Sequence, residues 1–260
     1  MSLTCDALAA ARAATRAAAN LLINARPEAI RTKSNPKDLV TEWDLRSEEL
    51  IRATLEQHAP GIPVMGEEGD AARPPGDWRW IVDPIDGTVN FAHGLPVWSI
   101  SIALEGPDGL EVGIVQAPRM NWWFEATVGG GAYDGTGAHL RVSAIDAISR
   151  ALLASGFPYD MATNPSNNFA AWEHMQRKAG ACRRLGSAAL DLCFVACGWM
   201  DGYWERHLKA WDVAAGALIV REAGGTVTDT RGGTFDPHGG EVVATNGAIH
   251  GELIEELGRV

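Results

Sequence analysis

Two short apolar runs, Ile62-Pro63-Val64-Met65 and Trp80-Ile81-Val82, each give way to acidic residues, and this pairing constrains the fold more than any other feature of the chain. Short apolar runs bounded by Pro, Gly and Asp read as buried strands. Each delivers carboxylates at its end, Glu67 and Glu68 after the first and Asp83 and Asp86 after the second. The Pro/Gly-rich stretch from Asp70 to Asp77 reads as the loop between them. Three further strands are expected at Val97 to Leu104, Leu110 to Gln116 and Trp122 to Thr127. Their joints, Gly106-Pro107-Asp108-Gly109 and Pro118-Arg119-Met120-Asn121, predict an antiparallel meander.

Helical patterns surround these runs. The Ala-, Leu- and Arg-rich stretch from Leu3 to about Ala25 predicts a long helix ending before Pro27, and Leu45, Leu50, Ile51 and Leu55 recur at helical spacing in a second helix from Trp43 to about His58. Between them, Arg31 to Thr41 reads as an exposed loop or irregular hairpin. Beyond the glycine-rich patch from Gly129 to Gly137, strands are expected near Ala151 to Ala154, Tyr203, Thr226 and Val242. Helices are expected near Asn167 to Ala179, Ser187 to Ala196 and Val213 to Glu222, with a last one from about Ala248. Elements in this order predict a layered α+β architecture. With 260 residues, 46% of them apolar, and ten tryptophans, one domain with a large core is expected. A weak boundary near residue 140 separates a metal- and phosphate-binding half, 1–140, from a substrate-side half, 141–260.

Charge and motifs narrow the function. A net charge of -11 argues against general nucleic-acid binding, which relies on Lys and Arg. Asp6, Arg12 and Arg16 break the opening stretch, so it lacks a signal peptide's apolar core, and no run is long enough to span a membrane; a soluble, cytoplasmic chain is expected. Cys5, Cys182, Cys193 and Cys197 show no CxxC pairing and read as reduced thiols, Cys193 and Cys197 as a helical core contact. No Walker A, HExxH, GxSxG or GxGxxG motif occurs, the seven histidines form no paired ligand motif, His93 included, and Trp122-Trp123 reads as sheet packing. An acidic protein that handles a phosphorylated substrate needs local positive charge, which clustered carboxylates can hold as metal ions.

The segment Asp83-Pro84-Ile85-Asp86-Gly87-Thr88 concentrates that chemistry. Pro84 fixes the turn, two acids and the Ile85 carbonyl offer oxygens to a hard cation, and Gly87 lets a ligand approach the backbone where Thr88 to Phe91 are expected to begin a helix. The same residues fit equally an Asx-turn followed by a helix N-cap at Asp86. Glu67-Glu68 fit a solvated pair, Asp212 fits the N-cap of a helix stopped by Gly224, and Glu205 fits a surface acid paired with Arg206 or Lys209. Lys33 and Asp44 carry no signal individually.

Together these segments resemble the inositol monophosphatase family, in which a strand-end Gly-Glu-Glu, an Asp-Pro-Ile-Asp-Gly-Thr turn and a late Trp-Asp recur in that order. Here they are Gly66-Glu67-Glu68, Asp83 to Thr88 and Trp211-Asp212, and the likeness runs from Lys33-Ser34-Asn35-Pro36-Lys37-Asp38 to Trp211-Asp212-Val213-Ala214-Ala215-Gly216. The resemblance implies a layered α/β/α/β/α sandwich in a homodimer, with Mg²⁺-dependent, Li⁺-sensitive hydrolysis of inositol monophosphate by metal-activated water. It implies that Glu67, Asp83 and the Ile85 carbonyl hold one Mg²⁺, that Asp83, Asp86 and Asp212 hold a second, and that a weaker third ion involves Glu67. Thr88, oriented by Asp44, would help activate the water, and the Gly87 and Thr88 amides would hold the phosphate. Gly186, Ser187, Ala188, Glu205 and Asp212 would meet the substrate, with Lys33 on a loop near the metals. Trp43, Gly69 and His93-Gly94 depart from the family pattern without removing a ligand. A histidinol-phosphate or other small sugar or alcohol phosphatase, and a regulatory binding protein that keeps the fold, are the alternatives.

Overall fold

The computed structural model describes residues 3–33, 36–69, 72 and 76–260. Ser34 and Asn35 of the opening motif, the Cys5 side chain, and residues 70, 71 and 73–75 of the expected loop lie outside the described residues. Helix α1 (Leu3–Leu22) buries a stripe of alanines, Ala7, Ala10, Ala11, Ala14 and Ala18. It stops short of Ala25, since Pro27 disfavours helical backbone at Arg26 and the chain unwinds ahead of it. Strands β1 (Ile30–Thr32) and β2 (Leu39–Thr41) pair antiparallel, the hairpin alternative of the polar stretch. Thr41 then caps α2 (Glu42–His58): its hydroxyl accepts from the Trp43 amide at 3.1 Å, and Asp44 accepts from the Thr41 amide at 2.8 Å.

The first large sheet follows in chain order: β3 (Val64–Gly66), β4 (Arg79–Asp86), a short α3 (Thr88–Ala92), β5 (Ser99–Gly106), β6 (Gly109–Ala117), β7 (Trp122–Thr127) and β8 (Gly131–Asp134). Strand β3 runs parallel to β4, and β4 to β8 form the expected meander. Strand β8 is an addition inside the glycine-rich patch, where Gly129 and Gly131, at φ 67° and 85°, turn the chain back onto β7. The second sheet collects β9 (Leu152–Ser155), β10 (Ala181–Arg183), β11 (Gly202–Arg206), β12 (Thr226–Thr228) and β13 (Glu241–Thr245) in the order β10-β9-β11-β13-β12. Around it lie α4 (Phe169–Lys178), α5 (Ala188–Ala196), α6 (Ala210–Glu222) and α7 (His250–Leu257). Strand β10 was not expected, and Cys197 ends α5 as its C-cap rather than lying within it.

Side-chain alternation sorts the core into three apolar seams. Trp80, Val82, Ile100, Ile102 and Ile114 face α1 and α2, while Ile81, Ala103 and Val115 face the opposite way onto α5 and α6. Tyr203, Val242 and Ala244 meet α5 and α6 from the second sheet, and Leu153, Trp204 and Val243 pack with Met175 of α4 and Leu253 and Leu257 of α7. The layers therefore run helix, sheet, helix, sheet, helix, the order that the family resemblance implies. Helices α5 and α6 are apolar almost all round because they are covered on both faces. No described helix is long and apolar enough to cross a membrane.

Helix α6 lies so close to β6 that a Cβ on Gly113 would stand 2.8 Å from the Ala215 carbonyl oxygen and 3.1 Å from its Cα. Both are backbone atoms, which cannot rotate away. Gly113→Ala is expected to cost about 1–3 kcal/mol, read as a denaturant midpoint. Gly251→Ala in α7, where nothing lies within 4 Å, is the control and should gain up to about 1 kcal/mol. Equal effects at the two positions would refute the tight α6–β6 contact as a stability determinant.

Candidate metal centre

Strict strand alternation would send Asp83 and Asp86, three positions apart, to opposite faces of the sheet. A register shift prevents this: Asp83 pairs with Ser101 and Asp86 with Ser99, so β4 carries one more residue than β5 across the interval. Pro84, which has no amide hydrogen to offer the ladder, lies within that bulge. Both acids consequently face the layer occupied by α5 and α6. Ser101 donates to the Trp211 carbonyl at 3.2 Å, tying this face to the first turn of α6. Asp212 sits in that turn, where its Oδ2 accepts from the Lys209 amide at 2.6 Å. It is the third residue of the helix rather than the N-cap, with Gly224 following the C-cap at φ 89°.

Oxygen atoms of Asp83, Asp86 and Asp212 lie within 4.8 Å of one another. Burial, then the charges of Glu67, Asp86 and Asp212, push Asp83 well above the usual carboxylate range. Burial and the charges of Asp86 and Glu67 do the same to Asp212, against the Lys209 amide. Burial pushes Asp86 up to about 6, while hydrogen bonds to its Oδ2 from the Ser187 hydroxyl (2.6 Å) and the Ala189 amide (2.8 Å) pull it down. These partners belong to α5, so Asp86 does not cap α3, whose N-cap is Gly87. The Asx-turn is present, but at Asp83, which accepts from the Ile85 amide at 2.9 Å. An all-oxygen set of mutually repelling acids, Asp83 and Asp86 buried and Asp212 partly so, fits a hard divalent cation and gives no soft sulfur or imidazole donor for zinc.

Glu67 stands at the edge of this trio. Lys33, beyond the end of β1, reaches it at 2.8 Å and also pairs with Glu68. These two acids hold the Lys33 ammonium well above its ordinary value, although burial works the other way. Burial and Glu67 push Glu68 up to about 7. The glycine of Gly66-Glu67-Glu68 has a steric cause that sequence reasoning missed: a Cβ there would stand 2.5 Å from the buried Glu48 carboxylate. Glu48 in turn accepts from the Glu68 amide at 2.7 Å.

Asp44 and Thr88 form the next contact outward. The Thr88 hydroxyl lies 3.0 Å from Asp44 Oδ1 and 3.0 Å from the Ile85 carbonyl oxygen, and burial pushes Asp44 up to about 6. Gly87, at φ 97°, adopts a left-handed backbone that a side chain would strain, and a Cβ would stand 3.0 Å from the Gly186 carbonyl oxygen.

Gly186, Ser187 and Ala188 are therefore brought against the Asp83 to Thr88 turn, across the two sheets. Asn90 donates to the Val97 and Leu185 carbonyls at 2.7 and 2.8 Å and fastens the same seam. Glu205 Oε2 accepts from the Tyr203 hydroxyl at 2.6 Å instead of pairing with Arg206 or Lys209, and burial pushes it up to about 7. Gly156 abuts this carboxylate so closely that a Cβ would overlap it. Two more residues escaped the sequence. Asp191 is buried with Oδ1 unpartnered, and burial and Glu205 push it well up. Desolvation and then the charges of Glu67 and Asp212 push the Tyr159 phenol up, although 47% of the residue stays exposed.

Known proteins carry the same pattern. The sequence profile described as the inositol monophosphatase family matches residues 3–260. A Rhizobium meliloti protein named inositol-1-monophosphatase is 40% identical over 225 residues, covering 86% of this chain and 84% of its own. A Pasteurella multocida protein named Nus factor SuhB is 40% identical over 227 residues, covering 87% and 85%. Among solved structures, a Thermotoga maritima IMPase superposes with a TM-score of 0.86 at 34% identity, over 95% of this chain and 94% of that one.

Proposed function

The chain belongs to the inositol monophosphatase family, and on that premise we propose that it is a Mg²⁺-dependent phosphatase that cleaves inositol monophosphate to inositol and phosphate. The convergence of Asp83, Asp86 and Asp212 within 4.8 Å carries the reading. In it, these acids hold two or three Mg²⁺ ions together with Glu67 and the Ile85 carbonyl. Bound Mg²⁺ would supply charge neutralisation for the phosphate and activation of water.

The chain's own groups do the rest. With its proton directed at Asp44 Oδ1, the Thr88 oxygen turns a lone pair toward the attacking water and orients it. Burial makes Asp44 a better proton acceptor than an exposed aspartate. The Gly87 and Thr88 amides hold the phosphate, and Gly186 lies close against Gly87. With Oε2 taken by Tyr203, Glu205 Oε1 accepts from a polyol hydroxyl. Ser187 and Ala188 act chiefly through Asp86, by holding its carboxylate in place.

The test is phosphate release from inositol monophosphate with Mg²⁺, its loss on chelation, and its slowing by millimolar Li⁺. Preference by orders of magnitude for another small ester, such as histidinol phosphate, would move the substrate and keep the class. Glu205→Gln is expected to raise KM for inositol monophosphate roughly 10-fold and to leave p-nitrophenyl phosphate hydrolysis unchanged. Equal losses on both would remove Glu205 from substrate recognition.

We extend the reading to a single catalytic domain acting in a cytoplasmic homodimer, supported by the exposed Phe169, whose ring packs on Phe157 at 5.1 Å between centroids. Sedimentation at twice the chain mass is the check. The relative named a Nus factor supports a second reading, a regulatory binding role on the same fold. Retention of Glu67, Asp83, Asp86 and Asp212 favours catalysis. Full rescue of a cellular phenotype by a turnover-dead variant would favour regulation.

A further inference from the structure

Helix α5 grips Asp86 at its first turn, and its other end opens on a separate cavity. Gly198, at φ 69°, turns the chain there: its amide donates to the Val195 carbonyl and the Trp199 amide to the Phe194 carbonyl, both at 3.0 Å. Trp199 is thereby set outside the helix. Its ring rests against Trp122, Phe194 and Phe124, with centroids 5.1, 5.5 and 6.4 Å away, and 52% of the residue stays exposed. An indole braced by three rings and open to solvent is a rigid platform for a further flat ring. It borders a cavity of about 990 Å³ beside β7 and β8, the last strands of the first sheet, whose walls include Arg12, Arg16, Trp123, Asp134 and Arg141.

Arg141 starts next to this platform. A Cβ on Gly198 would stand 3.1 Å from the Arg141 carbonyl oxygen, so the two backbones touch. Among the described residues, the Arg141 guanidinium has no hydrogen-bond or ion-pair partner, and Arg16 has only its contact over Trp123, at 5.4 Å. The acids of the wall are already engaged. Glu125 accepts from Arg12 Nε at 2.8 Å and from Trp123 Nε1 at 2.9 Å, and Asp134 Oδ1 accepts from the Thr136 and Ala138 amides at 2.8 and 3.0 Å. The cavity thus pairs a stacking surface with a free guanidinium, in a chain whose net charge is -11. The matching ligand carries a flat ring and an oxyanion, to which Arg presents a fork of two donors. A purine nucleotide has both, and a cavity of this size has room for base, ribose and phosphate.

We propose that this cavity binds a purine nucleoside monophosphate, with the base stacked on Trp199 and the phosphate held by Arg141. None of Glu67, Asp83, Asp86, Asp212 and Glu205 lines it, so the site is separate from the metal centre and does not depend on hydrolysis there.

Equilibrium dialysis of the full chain against labelled AMP, with excess chelator so that the metal centre holds no cation, tests it. Saturable binding to one site is expected, with GMP competing and with adenosine and ribose 5-phosphate each competing about 10-fold less well. Trp199→Ala is expected to raise Kd for AMP about 10-fold, and Trp199→Phe to recover part of the loss. Arg141→Gln should raise Kd about 10-fold for AMP and less than about two-fold for adenosine. Asp83→Asn, at the metal centre, should leave Kd unchanged. An unchanged Kd in Trp199→Ala or in Arg141→Gln, or an altered one in Asp83→Asn, puts the nucleotide elsewhere and overturns the site. Failure of the wild type to retain AMP at millimolar concentration overturns it as well. If Trp199→Ala then also halves the sedimenting mass, the face belongs to a second copy of the chain.

Discussion

Asp83→Asn is expected to lower kcat/KM by at least about 10³-fold and yet to raise the melting temperature of the metal-free protein. The two effects share a cause. Asp83 is surrounded by Glu67, Asp86 and Asp212, which with burial push its pKa well up, so the folded state holds its proton more tightly than the unfolded chain does. A carboxylate shifted in this direction contributes stability below the unfolded pKa and loses it as pH rises through the folded one. At pH 8 the metal-free cluster is under electrostatic stress. Asparagine keeps the Oδ1 that accepts from the Ile85 amide and removes one charge. The gain should be about 1–2 kcal/mol, or roughly 3–6 °C, and should shrink toward pH 5 as Asp86, at about 6, takes up its proton. Saturating Mg²⁺ should reverse the order, stabilising wild type more than the variant. A metal-free variant that melts below wild type at pH 8 would show the acids to be scaffold rather than a charged site held ready for cations.

Thr88→Val is expected to reduce kcat by about 10²- to 10⁴-fold while leaving the Mg²⁺-induced rise in melting temperature intact. Valine fills the same volume but removes the hydroxyl that spans Asp44 Oδ1 and the Ile85 carbonyl, each at 3.0 Å. Asp44 keeps its hydrogen bonds from the Thr41 amide and hydroxyl, so the cap of α2 survives. The stability cost should stay near 1–2 kcal/mol, that of one unmade buried hydrogen bond. Thr88→Ser should recover most of kcat. If the valine variant turned over within a few-fold of wild type, Asp44 and Thr88 would be a structural pair with no part in proton handling.

The strands and helices with strong periodicity were legible, because burial on a pleated or helical surface leaves its mark every second or every third to fourth residue. Strand β8 was hidden by the glycines that form its turn, and β10 is only three residues long, too short to show alternation. The acids of the centre were visible as residue types at strand ends, but their convergence was not. The bulge that turns Asp83 and Asp86 to one face is a property of pairing with β5, and the grip of Ser187 and Ala189 on Asp86 is a contact between sheets. Glu48 illustrates the remaining gap: it reads as an ordinary helical glutamate until Gly66 is seen to lie against it.

The bond between Asp86 and the Ala189 amide closes 103 positions of chain. Long closures of this kind are assembled late, after local helices and hairpins, because their entropy must be met before the contact rewards it. A renaturing copy of the chain therefore regains secondary structure before it regains hydrolytic competence, and recovered turnover reports that the last seam has closed. The same geometry spares the cell a half-finished phosphatase: a nascent chain released before α6 has emerged holds two of the three acids and no working centre.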